Sequence, residues 1–501
     1  MRDTNSASDD GGSNLDDPHL LPNMEISSSE PTALRLPSLL SVELRLLPLL
    51  CLLVGAHSGV VGVVEQWVIT GYCRDLMAAD CSDALVGEAA SRWYRWVVLV
   101  GQVTALTMLP AVGIVSDVVK AGARSDPLAR VPILLVQLAI GLTFTLGCFL
   151  HAQLALPRPV QLFTFIVGNL QGGQYGVLTV LFALRSDLSS VGQRPAAFVR
   201  LELALFAGVA LGQRAAGAMM GRSHAFGPRA AREKIALGVF AAVQCLAVLL
   251  IVIGFTVSPP GGAAPPKPSR CAAWRAVPRG AELCRQLRAR VVASITGLAR
   301  FRATNPALVN CILVAFTMAS FNNGLGGYLV LYLNNAGWDS QAVANLISSF
   351  FSLSALYLLL TAALLSTCAP ATDAVARLTA FGMAGGVVGP LLLVLHASRP
   401  AIPPMLYPIC TATVSVSFPL FRSMITGLFG AERAGSALSA LGLLEHITAT
   451  SGGFIYMTLF SAAAHTSPEL PLMIASMLFA VGTLVACGLP RLIRATGTAH
   501  K

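Results

Sequence analysis

Charge is what this sequence has least of. Asp, Glu, Lys and Arg make up 12% of its 501 residues, against roughly 25% in ordinary soluble proteins. So few charges cannot cover a water-dissolved particle of this length, which excludes a soluble globular protein and leaves much of the exterior to lipid. Enzyme signatures are missing too. The chain has no GxxxxGK(S/T) phosphate loop, no HExxH, no GxSxG and no paired CxxC. Direct use of ATP is therefore not expected, the chain is not read as an enzyme, and no cofactor or metal is implied. Asn-x-Ser/Thr acceptors are absent as well, so glycosylation offers no clue to which side of a membrane any loop occupies.

What is present is apolar. Hydrophobic residues make up 55% of the chain and the mean hydropathy is +0.69. Lys and Arg outnumber Asp and Glu by 34 to 24, but they sit in loops between apolar runs, so a lipid bilayer rather than nucleic acid is the expected partner. Most of the 11 cysteines lie inside apolar stretches, among them Cys51, Cys148, Cys245, Cys311, Cys410 and Cys487, where they read as small buried hydrophobes. Cys73 and Cys81 differ. They are eight residues apart in a polar loop and would form a local disulfide if that loop faces an oxidising compartment.

A helix needs about 20 apolar residues to cross the hydrocarbon layer. Such runs lie near 46–69, 95–117, 131–151, 159–183, 196–219 and 235–256, then near 307–333, 341–366, 374–396, 402–425, 434–459 and 469–489. The expectation is an all-α membrane protein of twelve transmembrane helices in two six-helix bundles, 45–256 and 307–490. The bundles are joined by a Pro/Gly-rich basic linker, 257–306, containing Pro259, Gly261, Pro265, Arg275, Arg285 and Arg290. Leu283, Leu287, Val291 and Ile295 recur there at steps of four, as in a basic helix lying on an anionic leaflet; a merely solvated linker fits equally. Residues 1–44 are acidic and Ser/Pro/Asn-rich and are expected to be disordered. They lack the apolar core of a signal peptide, so the first span is expected to direct insertion. A basic tail, 491–501, ends the chain. Lys120, Arg124, Arg130, Arg185, Arg194, Arg377, Arg422, Arg433 and the linker arginines fall on one side, which the positive-inside rule makes cytoplasmic along with both termini. The loop with Arg222, Arg229, Arg232 and Lys234 runs against that assignment.

Between spans two and three stands Gly113-Ile-Val-Ser-Asp117-Val-Val-Lys120-Ala-Gly122-Ala-Arg124. Glycine allows close approach of two helices, and the acid can accept hydrogen bonds from a neighbouring helix N-terminus and pair with an arginine. These residues read as a gate that latches one end of the bundle. Their spacing resembles the loop-two signature of the major facilitator superfamily, with Ser125-Asp-Pro-Leu-Ala129 interrupting the usual run of basic residues. Asp187, Arg194 and Phe198-Val-Arg200-Leu-Glu202, then Gly208 and Gly212, resemble the span-four to span-five junction of fungal members distantly similar to the vertebrate proton-coupled folate transporter family. Cys73-Arg74, Gly337-Trp338, Arg422-Ser423, and Gly435 with Glu445 are similar in the same order along the chain. The resemblance implies the major facilitator fold, a small-molecule substrate and a monomer.

Polar groups inside spans are costly in lipid and so are the first candidates for function. Glu445 and His446, side by side in span eleven, are read as a proton-coupling pair; a glutamate that only fastens span eleven to its neighbours is the alternative. Glu65 and Gln66 in span one, and Gln171, Gln174 and Tyr175 on one face of span four, are candidate substrate contacts, whereas interhelical fastening accounts equally for the span-four face. His57 reads as a structural donor. In span seven, Phe321-Asn-Asn-Gly324-Leu-Gly326-Gly-Tyr328 disfavours straight helix, and unwound backbone at membrane depth is tolerated only where it lines protein or a cavity. Asn322 and Asn323 are therefore candidate neutral ligands, with a packing notch as the alternative. Arg200 and Glu202 read as snorkelling or structurally paired residues. The expected function is secondary transport of a small solute, coupled to protons, in the plasma membrane. An uncoupled uniporter and a receptor that binds without translocating are the rivals.

Overall fold

Backbone groups in lipid have no water to bond, so a spanning segment must satisfy its own N–H and C=O groups as a helix. The computed structural model describes residues 46–61, 63–64, 84–122, 128–154, 156–220, 229–257, 285, 306–336, 338, 340–367, 372–399, 401–429, 434–463 and 466–498. Glu65, Gln66, Cys73, Cys81, Arg124, Arg433, the acidic first segment and nearly all of the linker lie outside the described residues.

The helices are α1 (46–61), α2 (Ala84–Gly122), α3 (Val131–Leu154), α4 (Arg158–Asn169), α5 (Gly173–Leu188), α6 (Arg194–Met220) and α7 (Arg229–Val257). After the linker come α8 (Pro306–Asn323), α9 (Leu325–Asn335), α10 (Ser340–Thr367), α11 (Thr372–Ser398), α12 (Leu406–Thr411), α13 (Ser417–Phe429), α14 (Ala434–Ala463) and α15 (Leu470–Thr498). Among the described residues no strand occurs. Among the described residues nine helical segments, α12 and α13 counting as one, are long and apolar enough to cross a membrane by length and composition. The shorter α1, the α4–α5 pair and α14 complete the twelve expected spans. Two boundaries differ from expectation. Helix α2 begins at Ala84, well before residue 95, and α15 runs on to Thr498 through most of the expected tail.

Large apolar side chains face outward along these helices, including Phe163, Phe381, Phe454, Met477 and Leu484. A surface of that kind is stable only against lipid. Inside, one apolar cluster joins Leu134, Leu184, Phe198 and Leu201 of the first half to Ala434 and Leu438 of α14. A second lies within the later helices around Phe316, Met383, Phe421 and Phe479. A third crosses between halves, placing Ala196 and Val199 of α6 against Leu358 and Ala362 of α10 and Leu420 of α13. The halves therefore meet chiefly along α6 against α10 and along α2 and α5 against α14.

Span four, and not span seven, carries the sharper break. Gly172 and Gly173 both adopt left-handed backbone, with φ of 83° and 62°, separating α4 from α5. The span-seven interruption is a single turn at Gly324, and its glycine serves another purpose. A side chain there would run into the backbone of Ala449 and Gly452–Gly453, so the Gly/Asn cluster lets α14 press against the α8–α9 junction. Gly172→Ala is expected to destabilise the protein by about 1–2 kcal/mol, the cost of a left-handed non-glycine residue. Gly192→Ala, with open space around the added methyl, should be neutral; thermal unfolding of both variants in detergent checks the pair.

Span ten is irregular in its middle. A short 3-10 segment, Ala412–Val416, links α12 to α13. Hydroxyls placed at every second residue tie the segment down. Thr413 Oγ1 donates to Gly382 O at 2.9 Å and Ser417 Oγ to Thr379 O at 2.9 Å, both on α11. These bonds fix α13 and with it Arg422.

Candidate functional site: two charged networks between the halves

The first network sits where α2 ends and α14 begins. Arg130, in the turn before α3, is fully buried. It donates from Nη1 to Asp117 Oδ1 at 2.7 Å and Ser116 Oγ at 2.8 Å, and from Nε to Asp187 Oδ2 at 2.8 Å. Lys120 Nζ lies 3.9 Å from the same Asp187 oxygen. Burial works against the charge on Arg130, but Asp117 and Asp187 override it, and its pKa lies above the ordinary arginine value. Thus held, Asp117 reaches across to the other half. The N–H of Gly435 donates to Oδ1 at 3.0 Å, that of Ser436 to Oδ2 at 2.7 Å, and the Ser436 hydroxyl to Oδ2 at 2.5 Å. The first N–H groups of a helix have no partner within it and carry the positive end of its dipole. Asp117 therefore caps α14 from a different helix. Gly113 and Gly435 make the approach possible, since a side chain on Gly435 would lie 2.9 Å from both Arg130 Nη1 and Gly113 O.

The second network lies deeper. Glu202 on α6, Arg422 on α13 and Glu445 on α14 are all buried. Arg422 donates from Nη1 to Glu202 Oε1, and from Nη2 to Glu445 Oε2 at 2.6 Å. Its guanidinium also lies over the Phe182 ring of α5, 4.9 Å from the centroid. One cation thus holds two carboxylates, one from each half. With both acids ionised the triad carries a net negative charge in a region that water does not screen, and such charge is costly. One added proton makes it neutral. Next to it, the His446 ring meets Tyr175 of α5 edge-on with centroids 5.3 Å apart, again across the halves. Glu445 and His446, though adjacent in sequence, therefore have different partners.

Other expected site residues fall elsewhere. Gln171 lies before the left-handed break, so it shares no helical face with Tyr175. It is buried in the first half, where a side chain on Gly141 would meet its Oε1 at 3.1 Å. Gln174 belongs to α5, its side chain outside the described residues. Asn322 is buried and committed to protein. Its amide donates to Met318 O at 3.0 Å and Ala475 O at 3.4 Å, and its oxygen accepts from the Tyr456 hydroxyl. Asn323 is exposed. His57 packs against Phe144. Gly122 ends α2.

The sequence reading left open which cation pairs with Asp117 and missed the partners of Glu445. Arg130 is the buried counter-charge of Asp117, and Arg422 with Glu202 forms most of the triad. The signal for Arg422 was present: an arginine inside an apolar run, with carboxylates in spans five and eleven to match. Near the far end of α6, Arg214 Nε donates to Ser348 Oγ of α10 at 2.6 Å, a further link between the halves.

No protein-family model and no curated protein sequence matches the chain. Solved structures do. The E. coli fucose:proton symporter FucP, a major facilitator superfamily transporter solved in the outward conformation, is similar over 88% of this chain and 97% of its own, at 13% identity and a TM-score of 0.56. The human organic anion transporter MFSD10 is similar over 89% and 99%, at 15% identity and a TM-score of 0.58. The proton:xylose symporter XylE is similar over 89% and 95%, at 14% identity and a TM-score of 0.58. The chain has the major facilitator fold.

Proposed function

We propose that the protein is a secondary transporter that moves a small solute by alternating access, rocking one six-helix half (45–256) against the other (307–490), with coupling to protons. The observation that carries this reading is the placement of both charged networks across the interface between the halves. A scaffold needs no buried ion pair there; a moving interface needs contacts that break and reform as units. The uneven triad supports the proton half of the reading, because its neutral form holds one proton and that proton can sit on either carboxylate. The names of FucP and XylE, both proton symporters of sugars, agree with it. The similarity of the span-four to span-five junction to fungal relatives of the folate transporter family fits the same class. A monomer in the plasma membrane with both termini cytoplasmic completes the proposal.

The test is a thermal-shift screen of purified protein against a library of small solutes at two pH values, since a bound ligand stabilises the folded state by mass action. Hits are then offered to proteoliposomes with and without an imposed proton gradient. Accumulation that follows the gradient is expected, and binding in Glu445→Gln should lose its dependence on pH. Solutes that bind and never cross would favour the receptor reading; uptake indifferent to the gradient would leave a uniporter.

A further inference from the structure

On the outer face of the second half, α11 and α15 enclose a groove of about 440 Å³ lined by Arg377, Phe381, Ala384, Cys487, Arg491 and Arg494 together with Ala380, Thr483 and Pro490. Its two walls follow helical spacing. Arg377, Phe381 and Ala384 share one face of α11, and Thr483, Cys487, Arg491 and Arg494 run along one face of α15. The groove is therefore graded along the membrane normal. Its floor is small and apolar, with Phe381 standing 67% exposed at its side. Its mouth is basic and lies at the same end of the bundle as the Asp117 latch, because α11 and α14 start there and α2 and α15 finish there.

Three arginines gather at that mouth. Arg377 Nη2 is 2.8 Å from Asp373 Oδ2 and Arg494 Nε is 3.6 Å from Oδ1 of the same carboxylate. Asp373 thus draws two of the cations together, and among the described residues at the mouth three arginines stand against this one carboxylate, an excess of two positive charges. Both paired guanidinium groups stay well exposed, at 67% and 63%. A basic opening over an apolar channel on a lipid-facing surface matches one ligand of the bilayer itself.

We propose that this groove binds an anionic phospholipid, with the headgroup phosphate on Arg377, Arg491 and Arg494 and the upper part of an acyl chain along Phe381, Ala384 and Cys487. A zwitterionic lipid offers the same chain but no net charge to match the excess. Free phosphate matches the arginines and leaves the apolar floor bare. The site is separate from the networks between the halves, and it depends on the membrane-spanning fold and not on whether a solute is transported.

Native mass spectrometry of the full chain, released from micelles doped with either phosphatidylglycerol or phosphatidylcholine, tests the assignment. Retention of phosphatidylglycerol over phosphatidylcholine is expected. The triple variant Arg377→Gln/Arg491→Gln/Arg494→Gln should lower phosphatidylglycerol retention about ten-fold or more, since each basic side chain near an anionic surface contributes about a five-fold gain. Ala384→Trp, which fills the floor and leaves the arginines in place, should also weaken retention. The arginines are exposed, so the triple variant should unfold at the wild-type temperature, which separates lost binding from lost folding. Equal retention of the two lipids, an unchanged triple variant, or displacement of phosphatidylglycerol by millimolar inorganic phosphate would each overturn the proposal.

Discussion

Arg422→Met is expected to be the most damaging single substitution in the protein. It removes the cation that bridges Glu202 and Glu445 and leaves two carboxylates facing each other in a buried site. Breaking a buried ion pair from one side costs about 3–5 kcal/mol, because the remaining charge has lost its partner and cannot regain water. Here two charges are stranded. The folded state should escape part of that cost by taking up protons, so the variant should be more stable at low pH than at high pH, and more steeply so than the wild type, whose triad is made neutral by a single proton. Thermal unfolding in detergent across pH checks this. The compensated triple variant Glu202→Gln/Arg422→Met/Glu445→Gln separates the role in folding from the proposed role in coupling. With no charge left to strand, it should recover most of the lost stability. Under the proposed function it should also bind solute without any dependence on pH. A triple variant as unstable as Arg422→Met would mean that the guanidinium matters for packing against Phe182 and Phe418 and not for charge.

The fold was legible in the sequence to the extent that burial in lipid imposes it. Apolar runs of the right length become spans whatever their neighbours, so their number and rough limits followed from hydropathy alone. The latch was half legible. Gly113 and Asp117 stand in one short motif, but the cation that holds Asp117 is Arg130, beyond a turn, and the groups it caps are backbone N–H groups more than three hundred residues away. The triad was less legible still. Glu202 and Arg422 are 220 residues apart and belong to different halves, and only the packing of α6, α13 and α14 brings them together. Span four and span seven show a different kind of failure. Both contain glycine clusters that disfavour helix, and sequence does not reveal what each glycine meets. At Gly172 and Gly173 it is left-handed backbone that requires them, which breaks the span and separates Gln171 from Tyr175. At Gly324 it is the approach of Gly452 and Gly453 on another helix, which keeps the span nearly straight and leaves Asn322 to fasten helices together.

Asp117→Asn is expected to loosen the end of the bundle where Asp117 now joins α2 to the start of α14. The carboxylate accepts from Gly435 N–H, from Ser436 N–H and hydroxyl, and from Arg130. Asparagine keeps the shape but loses the charge and replaces one acceptor oxygen with a donor that faces other donors. A hydrogen bond to a charged group contributes about 1.5–3 kcal/mol. Most of the loss falls on contacts between the halves, since Arg130 retains Asp187 and Ser116. A shift of about 2 kcal/mol moves a two-state equilibrium roughly thirty-fold. Spin labels at Ala121, the exposed end of α2, and at Gly427 on α13 report the separation of the halves at this end. The wild type should give one dominant short distance, and Asp117→Asn a second, longer one with a comparable population. Under the proposed function, solute affinity should stay within a few-fold, because Asp117 lies apart from the triad and from Tyr175. Exchange between the two arrangements should slow in the direction that re-forms the cap, as the single amide oxygen that remains can receive only part of what the carboxylate accepts. Ser436→Ala removes only the hydroxyl bond and should produce the same change at reduced amplitude. An unaltered distance distribution in both variants would show that apolar packing of α2 and α5 on α14 holds this end without the charge.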